Sequence, residues 1–273
     1  MSHFGAYKER IHFKNMLRGI GTQTLSILDF IGSLTTLFFK SVFVIFRPRS
    51  PRFFKWTSGH FVRIGSDSLW IVSLILVLMG MVIALQTAYQ MAALGANALI
   101  PRLLAVSMAR ELGPVMTAFV VAGRAGASMT AEIGAMKVTE QVDALESMSA
   151  NPIEYLVSTR LLATMIAMPC LAIYGIVLGI TGGYVVCLGK LGMSSAMYWN
   201  GVFEAVVWND FASGLIKAFV FGIVITIVSC HAGLKVSGGA QGVGRATMHG
   251  VVFSFLFIVL CDFLFTIGFY IFR

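Results

Sequence analysis

Five stretches of this chain are each long and apolar enough to cross a lipid bilayer, which leaves it very few folds. About 20 consecutive, mostly apolar residues let a helix traverse the hydrocarbon core, where every backbone N–H and C=O must find its partner inside the chain. The qualifying segments are Ser68–Met91, Leu103–Ala122, Leu161–Val186, Phe211–Gly233 and Gly250–Phe272. Pro114 and Pro169 fall inside two of them and read as kinks, since neighbouring helices or water can satisfy the freed carbonyls. With 58% of its residues hydrophobic and only 12% charged, the chain exceeds the apolar content of soluble domains. The fold class that follows is an all-α integral membrane protein.

A sixth stretch, Thr22–Phe46, is long enough to span but carries Asp29, Lys40 and several Ser and Thr. Ten of the 20 Lys and Arg residues lie within the first 63 positions. Were Thr22–Phe46 a span, the loop bearing Arg47, Arg49, Arg52, Lys55 and Arg63 would face outward, against the positive-inside rule. It is therefore expected to lie in the interface as an amphipathic helix, with its basic neighbours on anionic headgroups rather than on nucleic acid. The domain organisation expected is a cytoplasmic basic segment with this helix, residues 1–63, followed by a five-span domain, residues 64–273. The amino terminus is then cytoplasmic and the carboxy terminus outside. The Glu132–Met148 connector and the Lys235–His249 loop are internal, and Leu188–Asp210 is external.

Several chemistries lack their residues. Cys170, Cys187, Cys230 and Cys261 are isolated in apolar sequence and form no CxxC pair, and the histidines show no metal-binding spacing. The polar amino terminus is not followed by a short apolar core with a cleavage site, so no secretory signal is expected. Gly239–Thr247 has Arg245-Ala246 where a phosphate loop needs Lys-Ser/Thr, and Gly126-Ala127-Ser128-Met129-Thr130 lacks the second glycine of a nucleophile elbow. No ATP site and no catalytic residue are expected in this chain.

Charge within a span is costly, at least ~2.5–3.5 kcal/mol on insertion scales, and marks a pathway or binding site. Arg110 and Glu111 lie midway along the second span, just before Pro114. They are either a structural pair holding the kink or groups at a water-containing cavity that receives a polar headgroup. Lys217 and Asp262 are further buried charges, able to pair with each other or with other polar groups of the bundle. On the first span, Ile83, Gln90 and Leu94 share one helical face with Gln86 and Met91 at its margins, which suits an amphipathic ligand or plain helix packing. Gly175, Gly179 and Gly183 recur at the spacing that lets helices approach closely, within the chain or between subunits.

The connector places Val138, Val142 and Leu145 at i, i+4 and i+7, an apolar stripe on an otherwise acidic helix bearing Glu132, Glu140, Asp143 and Glu146. An acidic helix is repelled by anionic lipid, so the stripe seeks either a protein groove or its own bundle. Asn151-Pro152-Ile153-Glu154 then reads as the start of the next helix.

The runs Arg-Glu-Leu-Gly-Pro-Val (110–115), Ala-Gly-Arg-Ala-Gly-Ala (122–127), Thr-Ala-Glu-Ile-Gly (130–134) and Val-Thr-Glu-Gln-Val-Asp-Ala-Leu (138–145) occur in order. Asn-Pro (151–152) and Gly-Val-Gly-Arg-Ala-Thr (242–247) follow them. From about Asp67 onward the chain resembles the MlaE permease family, the membrane subunits of bacterial MCE-type phospholipid ABC transporters. The resemblance implies a homodimer of five-span subunits in the bacterial inner membrane. It implies a cytoplasmic ABC ATPase (MlaF-type) that holds the ATP and Mg, a STAS-domain protein (MlaB-type) and a periplasmic ring of MCE-domain proteins (MlaD-type). Lipid is held at the permease dimer interface. On the matching positions, Arg110 and Glu111 fall at the lipid cavity, and Ile83, Gln90, Met91 and Leu94 on its wall, with Gln90 standing where an apolar residue is expected. Glu132 to Met148 becomes the coupling helix, with Glu132, Glu140, Val142, Asp143 and Leu145 toward the ATPase.

The function so implied is movement of glycerophospholipid between the inner membrane and the ring, which maintains outer-membrane lipid asymmetry. Two other classes stand against it. A proton-coupled secondary transporter would use Glu111 and Asp262 as a relay and needs an internal repeat, which the sequence does not display. An intramembrane lipid-modifying enzyme needs a nucleophile–base set or metal-binding carboxylates, and none is apparent.

Overall fold

A computed structural model describes residues 24–25, 28–46 and 51–271, and most of the amino-terminal basic residues fall outside them. The described residues form eight helices and no strand. These are α1 (Leu28–Ile45), α2 (Pro51–Ala92), α3 (Asn97–Val138), α4 (Gln141–Ser147), α5 (Ile153–Leu191), α6 (Ser195–Ala205), α7 (Trp208–Leu234) and α8 (Gly239–Ile271). Each expected span falls within one of the long helices α2, α3, α5, α7 and α8, with Phe272 alone beyond the described residues. The helices overrun the spans because apolar content defines only the part that sits in hydrocarbon. At 42 residues α2 is about 63 Å long at 1.5 Å per residue, twice the ~30 Å core. It runs unbroken through position 63.

By length and composition six helices, α1 among them, can cross a membrane. The contacts of α1 nonetheless lay it across one end of the bundle. Ser33 Oγ pairs with His231 Nε2 at 2.7 Å and the Ser41 carbonyl accepts from Ser158 Oγ at 3.2 Å. Leu37 and Ile45 are buried with Ile133, Val142, Leu156, Leu161, Ile227 and Cys230. Those partners sit within about 12 Å, eight residues' rise, of where α3 and α7 end and α5 begins. A helix running along the bundle would instead meet both of its ends. This end, which also carries α4, is the connector end.

Close helix contact comes from glycine. A Cβ on Gly80 of α2 would collide with the carbonyl of Gly179 in α5, and one on Gly179 would collide with Met108 of α3. The Gly175–Gly179–Gly183 ladder is therefore consumed in packing α5 against α2 and α3 of the same chain. At the far end α6 lies over α3, where an Arg102–Glu204 ion pair joins them. Tyr198, fully buried, donates its hydroxyl to the Ile180 carbonyl at 2.7 Å, and burial pushes its pKa above the ordinary phenol value.

Two expectations need correction. The segment Lys235–His249, expected as a loop, is largely helix: α8 already starts at Gly239, after a turn in which Gly238 and Gly239 take φ of 87° and 67°. Nor is Glu132–Met148 one helix. It breaks between α3 and α4, with Glu140 at φ 59° in the left-handed region. Thr139 and Glu140 carry no glycine or proline signal, so an uninterrupted helical stripe was the simplest extrapolation from sequence.

Candidate functional site

Pro114 has no N–H to give the Arg110 carbonyl, and its ring crowds that carbonyl. The helix responds by widening at Met108–Leu112 into a π turn, in which the Gly113 N–H reaches back to Met108 O. Such bulges recur at functional sites because they re-aim side chains. The backbone of α7 presses on this turn, and a Cβ on Gly214 would strike the Ala109 carbonyl.

The turn sends its two charged side chains to different partners. Arg110 pairs with Asp210, in the first turn of α7, at 2.5 Å. Glu111 takes a bond from Lys217 at 2.5 Å, and Lys217 also donates to Asp262 Oδ1 at 2.9 Å and Thr266 Oγ1 at 2.8 Å. The Thr266 hydroxyl lies 3.1 Å from Glu111 Oε1. Three helices, α3, α7 and α8, thus converge on one ammonium group that is only 1% exposed.

Arg110, Glu111, Asp210, Lys217 and Thr266 line a cavity of about 500 Å³, together with Asn209, Ser213, Ile216 and the rings of Phe269 and Tyr270. Lys217 lies nine residues from the start of α7 and Asp262 nine from the end of α8. That is about 14 Å of helix in each case, close to the middle of a ~30 Å core. An open ionic cavity at that depth suits a ligand with a charged head and an apolar tail. Arg110 and Glu111 are therefore brought together at a site. Ile83 and Met91 pack instead against the apolar cluster around Ala84, Ala88 and Met108, while Gln90 and Leu94 are exposed, outside this cavity. Sequence reasoning missed Asp210, placed at the end of an external segment, and Thr266, whose hydroxyl is invisible as a ligand until α8 is docked.

At the connector end the coupling candidates separate. Val142 is buried among Ile45, Phe53 and Leu156, and Leu145 packs half-buried beside it. Val138 is exposed. Glu140 is exposed, and Asp143 binds Lys137 at 2.7 Å. Glu132 turns inward to Arg160 of α5 at 3.0 Å and Arg63 of α2 at 3.7 Å. The Asn151 side chain accepts from the Ile153 N–H at 3.0 Å, the cap expected there. Beside α4 opens a groove of about 830 Å³ walled by Phe53, Trp56, Leu145, Met148 and Tyr155. Among the described residues no cluster of His, Cys, Asp and Glu is suited to a metal ion.

The family described as Permease MlaE matches residues 57–267. A probable ABC transporter permease protein of Rickettsia conorii is 40% identical over 252 residues, 92% of this chain and 96% of that protein. The intermembrane phospholipid transport system permease protein MlaE of Haemophilus influenzae is 33% identical over 253 residues, 92% and 96% of the two chains. The chloroplastic protein trigalactosyldiacylglycerol 1 of Arabidopsis thaliana is 36% identical over 201 residues, 74% of this chain and 57% of that one.

Proposed function

Because the chain belongs to the MlaE permease family, we propose that it is the membrane subunit of an ABC transporter that moves glycerophospholipids between the inner membrane and a periplasmic ring of MCE-domain proteins. By that movement it maintains outer-membrane lipid asymmetry. The observation that carries this is the cavity lined by Arg110, Glu111, Asp210 and Lys217, a polar chamber at membrane depth with the rings of Phe269 and Tyr270 in its wall. A phospholipid headgroup fits its charges and the acyl chains its apolar border.

The chain works as a homodimer with its connector end in the cytoplasm and its carboxy terminus in the periplasm. ATP and Mg are held by a partner ABC ATPase, accompanied by a STAS-domain protein, and the chain itself is not catalytic. Ile83, Gln90, Met91 and Leu94 belong to the cavity wall of the assembled dimer. Closure of the ATPases presses on α4, and the embedding of Val142 among residues of α1, α2 and α5 passes that movement into the bundle. Two states that differ in lipid affinity result, and ATP biases the equilibrium between them.

The test is purification of the intact complex with mass spectrometry of its lipids and subunits, coupled to photoreactive lipid labelling at position 111. Phospholipid, an ABC ATPase and an adduct in the cavity are expected. Lipid movement by the isolated chain without ATP would overturn the proposal, as would an intact complex with no adduct.

A further inference from the structure

Resting on the assignment of the cavity to lipid, we infer that it selects headgroups carrying an ammonium beside their phosphate over headgroups of net negative charge. Lys217 has three N–H donors and commits them to Glu111 Oε2, Asp262 Oδ1 and Thr266 Oγ1. None is left for a phosphate. The Asp210 side chain is 6% exposed and turned to Arg110. What a ligand meets is the Arg110 side chain, 32% exposed, and the Glu111 side chain, 38% exposed, with Asp262 tied in through Lys217. A guanidinium carries five donors, more than one carboxylate engages even in a bidentate pair, so Arg110 can still take a phosphate oxygen.

The charge count decides the rest. Two cations, Arg110 and Lys217, face three carboxylates, Glu111, Asp210 and Asp262. In a zone poor in water the odd carboxylate needs a positive partner, either a proton or a cation that enters with the ligand. An ammonium-bearing headgroup supplies that cation at Glu111 while its phosphodiester meets Arg110, so the occupied site keeps one net negative charge with every carboxylate beside a cation. A phosphoglycerol headgroup brings its negative charge without a compensating one and deepens the imbalance.

The experiment places the full-length protein in nanodiscs holding equal amounts of photoreactive phosphatidylethanolamine, phosphatidylcholine and phosphatidylglycerol, and counts cavity adducts by mass spectrometry. Each ammonium-bearing lipid is expected to exceed phosphatidylglycerol by about tenfold, through the positive charge that both carry, since the trimethylammonium of phosphatidylcholine has no N–H to donate. Asp262→Asn keeps an acceptor for Lys217 but removes the surplus charge, and should lower the ratio several-fold. Should that variant fail to fold, Glu111→Gln makes the same charge change and is read the same way. Equal labelling in the unaltered protein, or a ratio that these substitutions leave unmoved, overturns the inference while the lipid site stands. No labelling by any of the three lipids in an intact protein removes the site itself.

Discussion

Glu111 and Lys217 meet at 2.5 Å across 106 positions of sequence, and so join α3 to α7 near the middle of the bundle. The lysine is buried and holds Asp262 of α8 with the same ammonium. A charge in that position is tolerable only while its partners remain.

Replacing Lys217 with Met should therefore destabilise the protein although it adds apolar volume. It strands two carboxylates that face each other without a cation. Breaking a buried pair costs about 3–5 kcal/mol, and roughly 3 is expected here because Glu111 and Asp262 keep some access to the cavity. Thermal unfolding in detergent should show a clear fall in Tm. Adding Glu111→Gln and Asp262→Asn to the same chain should restore much of it.

Helix packing offers a second measurement. Gly80→Ala places a methyl group against the backbone of Gly179, where neither helix has a side chain to move aside. Overpacking of this kind costs about 1–3 kcal/mol, and more where backbone must shift. Gly189→Ala is the control, since nothing lies within 4 Å of its added carbon. That change should be neutral or stabilising by about 0.5–1 kcal/mol through helix propensity. Equal Tm values for the two variants would contradict the glycine-mediated contact.

The connector variants separate folding from docking. Val142 is 4% exposed and Met148 is 78% exposed. Val142→Asp buries an unpaired charge and should lower Tm and yield. Met148→Asp changes only the groove rim, so Tm should hold while the ATPase no longer copurifies. An ATPase that stays bound to the Met148→Asp protein would move its contact elsewhere.

What could be read from the sequence follows from the range of each force. The spans were legible because twenty apolar residues in a row have one physical use, and the glycine ladder because its spacing is local to one helix. Arg110 and Glu111 were conspicuous for their cost within a span. Lys217 and Asp262 could be paired as buried opposite charges and do meet at 2.9 Å. That Glu111 completes this trio while Arg110 goes to Asp210 was not legible, because it depends on the π turn that Pro114 forces and on three helices docked at once. The break at Glu140 escaped for the opposite reason: periodicity extends a helix until a glycine or proline stops it, and here the chain bends at an ordinary residue.

Glu132 and Arg160 give the last prediction. The Arg160 side chain is 3% exposed, donates to the Leu156 carbonyl at 2.6 Å and meets Glu132 at 3.0 Å. Glu132 itself is half-open to solvent, so its loss costs little on its own account. The cost falls on the guanidinium, which would stay buried in a pocket whose other charged or titratable groups are His60, Arg63 and Arg124, with no carboxylate in contact among the described residues. Glu132→Ala should therefore destabilise by about 3 kcal/mol, as does any change that leaves a buried charge uncompensated. Arg160→Met removes that charge and keeps an apolar side chain in its place, so the double variant should be more stable than the two single losses summed. A double-mutant cycle in thermal or chemical unfolding should return a coupling of about 0.5–3 kcal/mol. Strict additivity would mean that Arg160 is neutralised by something other than Glu132, and that α3 and α5 are held at the connector end by apolar packing alone.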